Sequence, residues 1–130
     1  ALAGVLALQP EMLILDESTS GVDPRSRSEL LGQLLTLHRE HGLTLAFVSP
    51  NMEDMAGLVD RIYVMDDGRV VMSGTTREIF SQPDELRAYG LGVPQVTEVA
   101  HELIARGVAV DRIPVTVEEG VEEAWKILNF

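Results

Sequence analysis

A chain of 130 residues holds one domain or part of a larger one, and 45% apolar with 24% charged residues belongs to a folding chain, not a disordered one. No apolar run approaches the roughly 20 residues of a membrane-spanning helix, and a formal net charge of −11 argues against a protein that neutralises nucleic-acid phosphates. The absence of cysteine excludes disulfides and thiolate metal sites, and Lys126 is the only lysine, so the sequence contains no glycine-rich turn with the lysine of a phosphate-cradling P-loop.

Residue 1 is not methionine, and Ala1 to Leu8 reads as the back half of a helix without an N-cap, so the chain is expected to start inside an element. Pro10 ends that helix. Met12 to Leu15 is an unbroken apolar run closing on Asp16 and Glu17, which predicts a parallel-sheet strand buried on both faces. Asp23 before Pro24 predicts a helix start, and Leu30, Leu31, Leu34, Leu35 and Leu37 form its apolar stripe as far as the stop at Gly42. Leu43 to Ser49 predicts a second buried strand. Asn51, followed by Glu53 and Asp54, predicts another helix start with acids near the positive end of its dipole.

Arg61 to Met65 and Arg69 to Met72 flank Asp67-Gly68, a strong hairpin signal. Thr75 with Glu78, and Thr116 with Glu119, have capping-box spacing. Gly90, Gly92 and Pro94 mark a boundary that divides residues 1–89 from a helical tail, 90–130. Two helix patterns occupy that tail. One, near 95–106, has the stripe Val96, Val99, Ala100, Leu103 and Ile104; the other, near 117–128, has Val117, Val121, Ala124, Trp125 and Leu128. The order of elements predicts an α/β domain with an antiparallel edge. His38 and His41 lie at a helix end with no third ligand in evidence, and read as cations at a negative dipole end. His101 reads as a packing or surface residue, and Trp125, on its apolar stripe, as a core or subunit-contact residue.

An apolar strand that ends in Asp-Glu has a chemical use at the carboxyl edge of a parallel sheet, just outside which ligands sit. One carboxylate there can hold Mg²⁺ through water while its neighbour polarises the water that attacks a γ-phosphate. The string LILDESTSGVDP, Leu13 to Pro24, resembles the Walker B segment and D-loop of ABC ATPases, usually close to LLLDEPTAGLDP. The resemblance runs from Ala1 to about Ser81. ALAGVLALQP is similar to the helix after the ABC signature motif, whose glycine-rich residues would lie just before Ala1, and the DGRVVMSG hairpin and TTREIF helix start also match. GLGVPQVTEVAHEL, Gly90 to Leu103, resembles the C-terminal extension of energy-coupling-factor transporter ATPases, cytoplasmic subunits that drive vitamin or cobalt and nickel uptake.

The resemblance implies part of a P-loop NTPase fold of the ABC type: a parallel sheet, an antiparallel hairpin and a helical C-terminal extension. It implies ATP and Mg²⁺ as cofactors, with Asp16 helping to bind Mg²⁺, Glu17 as catalytic base, and Ser20, Gly21, Val22 and Asp23 facing a second ATPase subunit. It further implies a transmembrane coupling subunit, a substrate-binding membrane subunit, and a peripheral location on the cytoplasmic face of the membrane. Two positions depart from the pattern. Ser49-Pro50-Asn51 stands where the family carries Thr-His-Asp, so the switch histidine that contacts the γ-phosphate is replaced by Pro50, which has neither a side-chain donor nor a backbone N–H. Ser18 replaces the usual proline, at some cost in loop rigidity. Without a P-loop, glutamine loop or signature motif, these 130 residues alone are expected not to hydrolyse ATP. Two alternatives stay open: a non-transport ABC ATPase, against which the tail and acidic charge argue, and a non-hydrolysing interaction module, which Pro50 favours.

Overall fold

The computed structural model describes residues 2–16 and 21–128. In chain order the elements are α1 (Leu2–Leu6), β1 (Met12–Asp16), α2 (Pro24–His41), β2 (Thr44–Val48), α3 (Met52–Leu58), β3 (Arg61–Asp66), β4 (Arg69–Thr75), α4 (Thr76–Phe80), α5 (Pro83–Ala88), α6 (Gln95–Ala105) and α7 (Val117–Leu128). They form two compact units, residues 1–49 and 50–130.

In the first unit β1 and β2 pair in parallel, from Met12 opposite Thr44 to Asp16 opposite Val48. Parallel neighbours need a long crossover, here α2. Asp23 starts α2 by accepting the Ser26 N–H at 3.0 Å. Gly42, in the left-handed region at φ 67°, ends it by donating to His38 O at 3.1 Å. His38 Nδ1 then donates to Leu43 O at 2.7 Å, which fixes the turn into β2. Leu13, Leu15, Leu34 and Leu43 are the core, with Leu6, Leu30, Leu37, Leu45 and Phe47 packed on it.

Burial of β1 on both faces does not occur. Leu13 and Leu15 are buried, whereas Met12 and Ile14 are 51% and 64% exposed. Strand side chains alternate faces, and among the described residues of this unit only the Leu13–Leu15 face carries a packed core.

The second unit begins with α3 and the hairpin. Asp67 and Gly68 take φ 44° and 73°, the left-handed pair that a two-residue turn requires. The strands extend beyond the predicted ends to Asp66 and Thr75, with a register irregularity between Val64 and Met65. The Thr75–Glu78 capping box is complete: Thr75 Oγ1 accepts the Glu78 N–H, and Glu78 Oε2 accepts the Thr75 N–H at 2.7 Å. Behind it Ile79, Phe80 and Leu86 are buried.

The tail packs through polar contacts that sequence spacing does not reveal. Thr97, fully buried, donates to Pro114 O at 2.7 Å, and His101 Nε2 donates to Phe80 O at 3.3 Å. Arg77 on α4 donates to Ile113 O at 2.6 Å and to Glu119 Oε1 at 2.8 Å, and Arg112 pairs with the same oxygen at 3.2 Å. Glu119 therefore departs from the predicted capping box. Thr116 Oγ1 does accept the Glu119 N–H, at 3.3 Å, but the Glu119 carboxylate takes the two guanidiniums and the Val115 N–H, at 2.9 Å.

Helix α7 is turned differently from its apolar stripe. Val117, Val121, Trp125 and Leu128 are each more than half exposed, and Glu123 is buried. Glu123 accepts the Asp111 N–H and the Lys126 ammonium, at 2.7 and 2.9 Å. The Lys126 hydrogen bond is the main cause holding its carboxyl below the ordinary range, against burial. Gly120 faces α6, and a Cβ there would fall 2.1 Å from Val96 Cγ2.

Burial acts to raise the Glu119 pKa, but the Val115 N–H, Arg77 and Arg112 outweigh it and hold the carboxyl below its usual value. A carboxylate depressed in the folded state adds stability that is fully present above the unfolded value, about pH 4.3, and is lost as pH falls through the lower folded value. Glu119→Gln is expected to destabilise the protein at pH 7 by roughly 1 kcal/mol, allowing for solvent screening. In urea titrations at pH 7, 4.5 and 3 the gap between parent and variant should shrink on acidification. A gap that stays constant would contradict this assignment.

Candidate functional site

Asp16 is the last residue of β1, on the exposed face shared with Met12 and Ile14, opposite the end of β2. Its carboxylate therefore stands at the carboxyl edge of a parallel pair, the position where such sheets bind ligands. Glu17 and Ser20 lie outside the described residues, as does Ser18. Gly21 re-enters at φ 80°, and Gly21, Val22 and Asp23 are all exposed. Asp23 is committed to its helix. Hydrogen bonds from the Ser26 side chain, and then the Ser26 backbone, hold its carboxyl below the ordinary value.

Pairing brings Asp16 level with Val48, and Ser49 follows directly. Pro50 and Asn51 open the second unit. Pro50 is exposed. Asn51 is the N-cap of α3, its Oδ1 accepting the Glu53 N–H at 3.0 Å. One residue carries a contact that the sequence does not signal: Glu53 Oε1 accepts the Gln95 N–H at 2.7 Å, 42 residues away.

Of the two predicted site carboxylates only Asp16 lies within the described residues. An exposed aspartate oxygen at a strand end is the hard ligand that Mg²⁺ takes, with waters completing its shell. No group of three or more His, Cys, Asp or Glu side chains suited to hold a metal occurs among the described residues. Among the described residues no glycine-rich turn carries the lysine of a phosphate cradle. The one lysine, Lys126, is paired with Glu123 and lines a second-unit pocket with Val108, Ala109, Asp111 and Ile127, where no predicted site residue lies. No described helix is long and apolar enough to cross a membrane.

No family model matches the chain. A solved structure of cbiO1 from Clostridium perfringens, part of the ABC transporter complex cbiONQ, superposes with a TM-score of 0.58 at 32% identity over 77% of this chain and 40% of that one. Parallel strands joined through a helix, an antiparallel hairpin and a helical extension are thus part of an ABC ATPase, a P-loop NTPase fold. Among curated relatives, the energy-coupling factor transporter ATP-binding protein EcfA2 of Clostridium tetani is 41% identical over 129 residues, 99% of this chain and 45% of that protein. EcfA2 of Latilactobacillus sakei is 45% identical over 119 residues, 92% of this chain and 41% of its own length. Over nearly its whole length the chain is similar to energy-coupling factor transporter ATP-binding proteins, and it spans less than half the length of these relatives.

Capping at Asn51 gives a direct test of the local geometry. Asn51→Ala is expected to lower stability by about 1 kcal/mol in urea denaturation, while Asn51→Asp, which keeps the acceptor, stays close to the parent. Equal stability of the alanine variant and the parent would show that the cap contributes nothing.

Proposed function

We propose that this chain supplies the hydrolysis edge of an energy-coupling-factor ATPase whose phosphate cradle comes from sequence outside these 130 residues. The observation that carries this reading is Asp16: a carboxylate at the open end of a half-buried parallel strand, inside the string LILDESTSGVDP, in a chain 41–45% identical to such subunits. Asp16 would hold Mg²⁺, and Glu17 would accept the proton of the attacking water. MgATP, when bound, supplies the phosphoryl group and its charge-neutralising cation. Ser20, Gly21, Val22 and Asp23 face the second ATPase subunit, a role that suits the exposure of the last three. The driven process is uptake of a vitamin or transition-metal ion through a transmembrane coupling subunit and a substrate-binding membrane subunit, with this subunit peripheral on the cytoplasmic face. The 130 residues alone do not turn over ATP.

Pro50 favours a second reading, a subunit that assembles but hydrolyses slowly. A donor preorganised toward the transferring phosphate stabilises its transition state, and loss of one such donor typically costs about 10²–10³ in rate. Asn51 is engaged as a helix cap. In a protein that joins the P-loop-bearing segment of an EcfA2 relative to this chain, Pro50→His is expected to raise single-turnover hydrolysis at saturating MgATP by at least about tenfold. A variant no faster than the parent, folded and with the same nucleotide affinity, would show that Pro50 does not limit the rate.

Residues 90–130 act in subunit contact. Val117, Val121, Trp125 and Leu128 line one face of α7, and burial of apolar area at about 25 cal/mol per Å² favours covering them. In the same joined protein, Val121→Glu with Trp125→Glu is expected to weaken dimerisation at least about tenfold by analytical ultracentrifugation, with secondary structure unchanged. An unaltered dimer affinity would refute the contact.

A further inference from the structure

Helix α6 has no cap of its own. Pro94, at its N-cap, makes no side-chain cap, and the first N–H groups of any helix lack intrahelical partners. The acceptor comes from α3, where Glu53 Oε1 takes the Gln95 N–H at 2.7 Å. Glu53 lies in the first turn of α3, so one carboxylate serves the positive ends of two helices. Its own N–H is held by Asn51 Oδ1 at 3.0 Å. A short series of bonds therefore links the residue after Pro50 to the start of the tail: Asn51 side chain, Glu53 backbone, Glu53 carboxylate, Gln95 backbone.

Both ends of this link are anchored. On the tail side, Val96 abuts Gly120 of α7, and Thr97 is buried against Pro114 O. Arg87 pairs with Glu98 in the same first turn. On the other side, α3 is fixed by its Asn51 cap and by buried Met55, and the carbonyl of its C-cap, Val59, accepts Thr76 Oγ1 at 2.6 Å.

We infer that Glu53 is a positioning residue that couples the Pro50–Asp54 segment to α6, so that a displacement of either is transmitted to the other. A charge-assisted N–H···O⁻ bond is about twice as strong as a neutral one and short enough to act as a strut, and a coupling free energy between two places is reciprocal. The functional meaning rests on the reading of Pro50 as the switch position: a change there would reach the subunit-contact tail through one carboxylate.

Hydrogen–deuterium exchange on the 130-residue protein, without nucleotide, tests the strut. Glu53→Ala is expected to speed exchange at residues 95–97 about tenfold. Glu53→Gln, whose amide oxygen still accepts, should restore most of the protection. The decisive arm perturbs the far side. Gly120→Val pushes on Val96, and Gly120→Ala is the milder substitute if the valine variant does not fold. Either should speed exchange at residues 52–55 about threefold when Glu53 is present and not when it is alanine. A rise at 52–55 that is the same with and without Glu53, or no rise, would overturn the coupling. So would a glutamine variant as labile as the alanine one. These arms contain no nucleotide, so they are independent of the rate comparison at Pro50, where the hydrolysis reading would fail separately.

Discussion

Parallel strands cannot be joined by a tight turn, and the first unit is built around that constraint. The chain leaves β1 at its carboxyl end, returns the length of the strand through α2 and enters β2 in the same direction. Asp23 and Gly42 define where the crossover begins and ends, and Leu34 on its inner side meets Leu13, Leu15 and Leu43. The site follows from the register. Leu13 and Leu15 point into the core, so Asp16 points out and stands level with Val48. A slip of one residue would bury Asp16 and expose both leucines. The carboxylate is thus placed by two buried leucines one and three residues before it.

In the second unit charge does comparable work. The Arg77 guanidinium spans from α4 to the Ile113 carbonyl and the Glu119 carboxylate, tying the end of the hairpin region to α7. Glu123 joins α7 to the Asp111 backbone. With these acids turned inward, Val117, Val121, Trp125 and Leu128 remain exposed. A helix whose apolar stripe faces out and whose glutamate faces in is oriented by paired charges on one side, and its other face is suited to contact.

What could be read in the sequence depended on range. Asp23-Pro24, Asn51, Thr75 with Glu78, and Asp67-Gly68 each specify a few neighbouring dihedrals and hydrogen bonds, and each forms as their chemistry requires. The string ending at Pro24 carried the family resemblance because the motif is compact. Longer-range outcomes were not legible. The apolar run 12–15 is consistent with cover on both faces, and only one face is packed in this unit. Glu119 has capping-box spacing, but two arginines, 42 and seven residues earlier in the chain, take its carboxylate. Periodicity identifies the apolar stripe of α7 without saying which face turns inward, and the buried Glu123 decides that. Nothing local marks Glu53 as a partner for Gln95.

We propose a division of two tasks at the end of β1, cation binding at Asp16 and proton acceptance at Glu17. It is tested most directly by measuring MgATP affinity and single-turnover hydrolysis together, in the protein that joins this chain to a P-loop-bearing segment. Glu17→Gln should retain MgATP affinity within about threefold while hydrolysis falls by about 10² or more, and Asp16→Asn should weaken the Mg²⁺-dependent part of binding. Hydrolysis undiminished by Glu17→Gln, or Mg²⁺ dependence unchanged by Asp16→Asn, would contradict the account.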